Sequence, residues 1–146
     1  MKTLFFALCT FFLLNWVSAQ PPDTWKILLN NKVIASGKSD KADSAVHLKA
    51  SLLKKTDKII LSYSTANANP GWNRTFFINN EKDESLVTLP MSKQSGSVYM
   101  NADRLKKLIA KTKSFYIYTI SLPKDRSLAA RVRVARVLLG KIEWAK

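Results

Sequence analysis

Three residue types that build common binding sites are scarce in this sequence. Its 146 residues include one cysteine, one histidine and four glycines. One cysteine cannot form a disulfide within the chain, and one cysteine with one histidine cannot build a typical zinc site. The glycines stand far apart, so no glycine-rich phosphate-binding loop can form. These shortages exclude disulfide-stabilised scaffolds, zinc domains and P-loop nucleotide-binding proteins.

Positive charge, by contrast, is abundant. The chain has 24 Lys and Arg residues against 10 Asp and Glu, a formal net charge of +14. Residues 101–146 hold 12 of the basic and 3 of the acidic residues, so the charge is concentrated in the C-terminal third. With 47% hydrophobic and 10% aromatic residues the sequence is too apolar to be disordered, and its length fits one domain.

The N-terminal segment, residues 1–19, has the pattern of a cleavable secretory signal peptide. Lys2 provides a positive start, residues 4–14 form an apolar run, and Val17-Ser18-Ala19 offers short side chains for cleavage. The run is too short to span a bilayer in the usual way, which disfavours the alternative of a retained membrane anchor. Cleavage leaves no transmembrane segment and also removes Cys9. Because an exported domain without cysteine suits a bacterium better than an animal, we expect a secreted, periplasmic or cell-surface bacterial protein.

Alternating apolar and polar residues predict that strands dominate residues 20–146. Asn30-Asn31, a pair able to take positive φ, separates the first two strands and indicates a hairpin. Many short strands with one helix favour an all-β fold, a two-layer antiparallel β-sandwich forming one domain over residues 20–146. The alternative is an α+β fold, because Ala42–Lys55 also fits a helical period. The predicted strands are Trp25–Leu29, Lys32–Ala35, Ala45–Lys49, Lys58–Ser64, Arg74–Asn79, Ser85–Leu89, Ser97–Met100, Ser114–Leu122 and Arg131–Trp144.

One short helix is predicted, over Ala102–Lys113. Asn101 precedes it as a capping residue, and Asp103 lies near its positive N-terminus. Leu105 and Leu108 recur at helical spacing and form an apolar face. The opposite face carries the cations Arg104, Lys106, Lys107, Lys111 and Lys113.

An internal repeat is suggested by two similar segments, Val46–Lys55 and Val98–Lys107. Five of ten aligned positions are identical, and each segment leads into an apolar strand. We infer a repeated unit of strand, helical turn, strand, loop and strand. The alternative is a chance similarity among common residues.

Residues 131–139 alternate arginine with apolar residues, as a single strand would. Arg131 and Arg133 fall on one face, and a bulge near Ala135-Arg136 would bring the third arginine to it, with a second irregularity expected at Gly140. Such a row suits the clamping of phosphates or carboxylates. The favoured alternative is a solvated sheet face that pairs with acidic residues of the same chain. Those acidic residues are Asp40, Asp43 and the Glu81–Glu84 loop.

A second candidate ligand site contains Trp72, Asn73 and Arg74. These residues follow a Pro-Gly turn. An indole exposed there would stack on a sugar or a base, while the amide and the guanidinium fix its orientation. The favoured alternative is that the indole covers the end of the sandwich as part of the core.

No catalytic or metal-binding arrangement is predicted. His47 lies in an alternating segment without a nucleophile motif nearby, which indicates a surface strand residue rather than a catalytic base. Asn79–Glu84 spaces oxygen ligands like the start of a calcium loop but lacks the turn glycine and the distal glutamate. We interpret it as an acidic hairpin loop. The sequence therefore predicts no catalytic residue, no cofactor and no metal.

Several short segments carry a family resemblance. They are Ile117-Tyr118-Thr119, Leu122–Asp125 and Leu128–Val134, with Trp72–Thr75 upstream. Together they resemble a family of small secreted bacterial proteins of unknown function. The chain departs from the family pattern at two places. It has Arg126 where the family has proline, and Ala135-Arg136 where the family has two adjacent arginines. The resemblance implies an exported compartment and this domain type, and it brings no activity or site.

The expected function is that of a small, basic, non-enzymatic binding or structural module of the cell envelope or exterior. Its Lys/Arg-rich C-terminal face would attract an acidic partner, namely an anionic glycan, a phosphate-bearing surface or an acidic protein. Nucleic acid fits the charge but is less favoured, because an exported protein seldom meets it. The alternative is a secreted enzyme or enzyme inhibitor that uses the Trp72 loop. The candidate ligand-binding residues are Trp72, Asn73, Arg74, Arg131, Arg133 and Arg136.

Overall fold

The computed structural model of the protein describes residues 21–39, 41, 45–49, 51, 53–54 and 56–145. These residues form nine strands in two sheets and two short helices, which confirms the predicted all-β sandwich. The predicted signal peptide, residues 1–19, lies outside the described residues. The elements are β1 (Thr24–Leu29), β2 (Lys32–Lys38), β3 (Ala45–Lys49), β4 (Lys58–Ser64), β5 (Trp72–Asn79), β6 (Ser85–Met91), β7 (Gly96–Asn101), α1 (Ala102–Ile109), β8 (Ser114–Pro123), α2 (Arg126–Ala129) and β9 (Val137–Ala145).

The strand order shows how the two layers are built. One sheet has the order β2-β1-β4-β7, and the other has the order β3-β9-β8-β5-β6. Neighbouring strands pair antiparallel except for β3 and β9, which are parallel. This pair departs from the predicted antiparallel arrangement. It joins two distant parts of the chain at a sheet edge, where no hairpin sets the relative strand direction.

The core lies between the two sheets and is built from alternating residues. In β1, Trp25 and Ile27 are buried while Lys26 between them is exposed. In β5, Phe76 and Ile78 are completely buried from the other side. Because successive strand residues point to opposite faces, this period of two gathers the apolar side chains in one layer. Other fully buried side chains are Ile59, Leu61, Leu105, Phe115, Ile117, Leu139 and Ile142.

The predicted Asn30-Asn31 hairpin is confirmed. β1 and β2 pair antiparallel across it, and Asn30 has a φ of 54°, in the left-handed region that asparagine tolerates. The Asn30 side chain accepts a hydrogen bond from the backbone N–H of Lys58 at 3.0 Å and donates one to Asp57 at 3.1 Å. This amide therefore holds the hairpin against the start of β4.

The predicted helix forms but is shorter than expected. Asn101 caps α1, since its side-chain oxygen accepts a hydrogen bond from the backbone N–H of Arg104 at 3.2 Å. Leu105 and Leu108 are buried, as the helical spacing predicts. The helix ends at Ile109 rather than residue 113, because the chain must extend again to begin β8.

The predicted arginine strand is wrong over residues 131–136. β9 begins only at Val137, and the short helix α2, which was not predicted, lies between it and β8. The backbone N–H groups of Arg131 and Val132 bond back to the Leu128 carbonyl, so this segment turns instead of extending. The turn is needed because the chain must reverse direction to pair β9 antiparallel with β8.

The irregularity predicted at Gly140 is confirmed. Ile117 pairs with Gly140, whereas the next residue, Tyr118, pairs with Leu138. The extra residue in β9 shifts its parity, and this shift lets both Leu139 and Ile142 reach the core.

The two segments of the suggested repeat share some features. Leu53 and Leu105, which occupy the same position when the two segments are aligned, are both buried. Each segment also crosses between sheets, from β3 to β4 and from β7 to β8. The next strands differ, because β5 lies in the other sheet from β4 while β9 lies beside β8. The repeat therefore stays a prediction.

The strands define two ends of the sandwich. β4 and β7 pair from Lys58–Asn101 at one end to Tyr63–Gly96 at the other. Because α1 follows Asn101, we call the first end the helix end. The β4–β5 and β6–β7 loops leave from the second, which we call the loop end. A strand rise of about 3.3 Å per residue over these five steps places the two ends about 17 Å apart.

Candidate functional site

The structure places Trp72, Asn73 and Arg74 at the beginning of β5 rather than in an exposed loop. They pair with Pro123, Leu122 and Ser121 of β8, respectively. Trp72 and Asn73 are half-buried, and Arg74 is only 4% exposed. Of the three residues that the sequence suggested as a surface ligand site, Arg74 therefore departs from the prediction because it is buried, while Trp72 and Asn73 keep part of their surface exposed.

Arg74 instead joins the two sheets inside the sandwich. Its guanidinium lies 3.6 Å from the centre of the Tyr63 ring, and it donates hydrogen bonds to the Gln94 carbonyl at 2.8 Å and to the Thr119 hydroxyl at 3.3 Å. The Tyr63 hydroxyl in turn donates to Asp23 at 3.0 Å. Burial lowers the pKa of the Arg74 guanidinium and raises the pKa of Tyr63. From inside the sandwich, Arg74 thus holds the β6–β7 loop in place.

Above this network, at the loop end, lies a surface pocket of about 340 Å³. We call it the loop pocket. It is bounded by the β4–β5 loop, the β6–β7 loop and the residue that follows β8. Its lining consists of Ala68, Asn69, Pro70, Lys93, Gln94, Ser95 and Lys124.

Hydrogen bonds between the loops hold the walls of the loop pocket. The backbone N–H of Asn69 donates to the Gln94 side-chain oxygen at 2.7 Å. The Lys124 ammonium donates to the Pro70 carbonyl at 2.8 Å, and the Thr65 N–H donates to the Ser95 hydroxyl oxygen at 3.0 Å. The pocket is thus built from three separate parts of the chain.

The three predicted arginines are not aligned on one strand. Arg131 and Arg133 are exposed in the segment before β9. Arg136 pairs with Asp83 at 2.9 Å, and its guanidinium lies 4.0 Å from the centre of the Tyr118 ring. The favoured interpretation, pairing with the Glu81–Glu84 loop, is therefore confirmed for Arg136. The other suggested partners, Asp40 and Asp43, lie outside the described residues.

The acidic loop between β5 and β6 binds groups of the protein itself. It is a hairpin loop, as the sequence indicated, because β5 and β6 pair antiparallel. Hydrogen bonds from Thr112 and Ser114 lower the pKa of Glu81 to about 2. The hydrogen bond from Arg136 lowers the pKa of Asp83.

Other carboxylates of the chain also accept hydrogen bonds from the protein itself. The hydrogen bond from the Lys54 backbone, followed by that from Asn30, lowers the pKa of Asp57. Asp125 caps α2, and its hydrogen bond with Ser127 lowers its pKa. These acidic groups stabilise turns and helix ends, and Asp57 also attracts the Lys106 ammonium.

The cations of α1 and the turn that follows it form the helix-end surface. All are exposed, and the ion pairs in the described part of the chain involve none of them. The buried leucines on the opposite side of α1 hold this face outward. The helix-end surface consists of Arg104, Lys106, Lys107, Lys111 and Lys113.

The only histidine occupies the predicted position on a surface strand. His47 is exposed in β3, and its Nδ1 lies 3.3 Å from Glu143 of the parallel neighbour β9. Lys141 also contacts Glu143, at 2.5 Å. His47 thus lies in a surface charge cluster.

Sequence reasoning missed the residues of the β6–β7 loop that line the pocket. The Pro70-Gly71 turn is visible in the sequence, and Pro70 belongs to the pocket lining. Gln94 carries no local signal, because its partner Asn69 is 25 residues away and only the fold brings them together.

No group of three or more His, Cys, Asp or Glu side chains clusters as in a metal site within the described ranges. No helix in the part of the chain that the structure describes is long and apolar enough to cross a membrane. Comparison with known proteins finds no family model and no curated protein that matches the chain.

Proposed function

We propose that the protein is a non-enzymatic binding module of the bacterial envelope or exterior, which binds an acidic partner through the helix-end surface. The observation that carries this proposal is the exposed group of cations on α1 and the turn that follows it, in a protein whose carboxylates Asp57 and Glu81 accept hydrogen bonds from the chain itself. The partner is an anionic glycan, a phosphate-bearing surface or an acidic protein. Export depends on the signal peptide predicted at residues 1–19.

The spacing of these charges supports attraction of a polyanion. α1 has eight residues, so at 1.5 Å per residue it is about 12 Å long. This length is comparable to the screening length of about 8 Å at physiological salt, so neighbouring charges act together on an approaching anion. Because buried Leu105 and Leu108 anchor the helix, the cations are presented from a fixed backbone.

The lining of the loop pocket favours binding over catalysis. The alternative, a secreted enzyme that uses the Trp72 loop, would need a pocket in which carboxylates lie beside Trp72. The loop pocket has lysines, amides and a serine in its lining, but neither a carboxylate nor Trp72. We therefore propose no reaction for this site.

Charge reversal on the helix-end surface tests the proposed function. The double variant Lys107→Glu/Lys111→Glu changes two exposed cations and leaves the buried face of α1 intact. Heparin, as a sulfated glycan, and linear polyphosphate serve as probes in calorimetric titrations. We expect the affinity to fall about tenfold or more, from roughly 1 kcal/mol for each exposed charge contact.

The matched control is Lys38→Glu/Lys93→Glu, which reverses two exposed cations at the loop end of the sandwich. It should leave most of the polyanion affinity intact, and wild-type binding should weaken steeply between about 50 and about 200 mM salt. Unchanged affinity of the Lys107→Glu/Lys111→Glu variant, with a thermal unfolding curve that shows it folded, would refute the proposal. An equal loss in the control would mean that total charge, and not the helix-end surface, governs binding.

A further inference from the structure

The loop pocket has a polarity that its own hydrogen bonds determine. The backbone N–H of Asn69 must meet an oxygen, so the Gln94 amide presents its oxygen to that N–H and turns its NH₂ group the other way. The backbone N–H of Gly71 donates to the Asn69 side-chain oxygen at 2.8 Å and orients that amide likewise. Two acceptors of the lining are thereby occupied within the protein.

Other acceptors of the lining are occupied too. The Pro70 carbonyl accepts from the Lys124 ammonium, and the Ser95 hydroxyl oxygen accepts from the Thr65 N–H. Among the side chains of the lining, what remains is a set of donors: the NH₂ groups of Asn69 and Gln94, the Ser95 hydroxyl hydrogen and the ammonium groups. The lining contains no carboxylate that would oppose an anion.

Positive charge lies both in the lining of the pocket and behind it. Lys93 and Lys124 belong to its lining. Behind the β6–β7 loop, the buried Arg74 donates to the Gln94 carbonyl and has no carboxylate at ion-pair distance among the described residues. Arg74 is a positioning residue, because it holds Gln94 in place, while nearby Asp23, bound to the Tyr63 hydroxyl, balances part of its charge.

We propose that the loop pocket binds a small organic molecule through an anionic group, a phosphate monoester or a carboxylate. Lys93 and Lys124 would balance the charge, and the NH₂ groups of Gln94 and Asn69 would donate hydrogen bonds to it. A volume of about 340 Å³ suits a small ligand rather than a polymer. Ala68 and Pro70 supply apolar surface for the ligand's uncharged part. This site is independent of the helix-end surface.

Titration monitored by ¹⁵N NMR tests this proposal on the full chain. The probes are glycerol 3-phosphate, butyrate and, as the uncharged comparison, glycerol. We expect the side-chain NH₂ signals of Gln94 and Asn69 to shift with one of the two anions, and the responsive anion identifies the class. The variant Lys93→Gln should weaken that binding about tenfold, the effect of losing one charge-assisted hydrogen bond.

The matched control is Lys107→Gln, which removes the same charge from the helix-end surface and should leave anion affinity at the pocket unchanged. Absence of saturable shifts with both anions would overturn the proposal. Equal shifts with glycerol would overturn it as well, because the anionic group would then have no role. An equal loss in both variants would show unspecific charge attraction and would overturn the pocket proposal, while the polyanion proposal would stand.

Discussion

Glu81 ties the β5–β6 hairpin loop to the start of β8, and its replacement by glutamine should destabilise the fold in a pH-dependent manner. One carboxylate oxygen accepts hydrogen bonds from the Ser114 backbone N–H at 2.9 Å and from its hydroxyl at 3.0 Å. The other oxygen accepts from the Thr112 hydroxyl at 2.5 Å. Glutamine has nearly the same shape but lacks the charge and one acceptor.

The magnitude follows from these contacts. Hydrogen bonds to a charged group contribute about 1.5 to 3 kcal/mol when buried, but Glu81 is exposed to solvent and its interactions are screened. We therefore expect Glu81→Gln to lower the free energy of unfolding by about 1 to 1.5 kcal/mol at neutral pH. For a domain of this size the melting temperature should fall by about 4 to 6 °C.

The pH dependence has a definite sign. The pKa of Glu81 is lowered from 4.5 to about 2 in the folded protein. A group with a lowered folded pKa stabilises the fold fully above its unfolded pKa, and this contribution is lost as the pH falls from 4.5 towards 2. Urea unfolding of wild type and variant at a series of pH values should therefore show a difference that is largest at neutral pH and shrinks below pH 4.5.

Glu84→Gln is the control, because Glu84 lies in the same loop and contacts only Asn80 by its side chain within the described residues. It should change stability much less than Glu81→Gln does. The reasoning is refuted if the two variants are equally stable at neutral pH. A difference that persists unchanged at pH 2 would also refute it, since the charged carboxylate would then not be the cause.

Two further predictions concern local geometry. Asn101→Ala should destabilise the protein by about 1 kcal/mol, because the Arg104 backbone N–H loses its cap, whereas Asn101→Asp should retain stability in thermal unfolding. Gly37→Ala would place a Cβ atom 2.7 Å from the buried Trp25 ring, and we expect a cost of about 1 to 3 kcal/mol in urea unfolding. Gly71→Ala has open space apart from one side-chain oxygen and should cost less; an equal cost would contradict the role of the indole contact.

Much of the fold was predictable because strand formation depends on local alternation. β3 and β4 have the predicted bounds, since more and less buried residues alternate along each of these short segments. The same logic failed for residues 131–136. There the arginine–valine alternation is strand-like, but the chain needs those residues to turn back towards β8.

The candidate sites were harder to predict because they depend on burial. Arg74 looked like a surface ligand residue beside Trp72, yet its parity in β5 points it between the sheets, where Tyr63 covers it. Arg136 looked like part of a clamp, yet Asp83 of a distant hairpin loop binds it. A charged residue in a sequence does not reveal whether its partner is a ligand or another part of the chain.

The sequence by itself determined the alternation that makes strands, the Asn101 cap of α1 and the excess of positive charge. These features depend on residues a few positions apart, so local patterns contain them. Only the tertiary structure decided the parallel pairing of β3 with β9, the burial of Arg74 and the existence of the loop pocket. Such features require contacts between groups far apart in the chain, as between Asn69 and Gln94, which are 25 residues apart. No local pattern specifies which distant residues will come into contact.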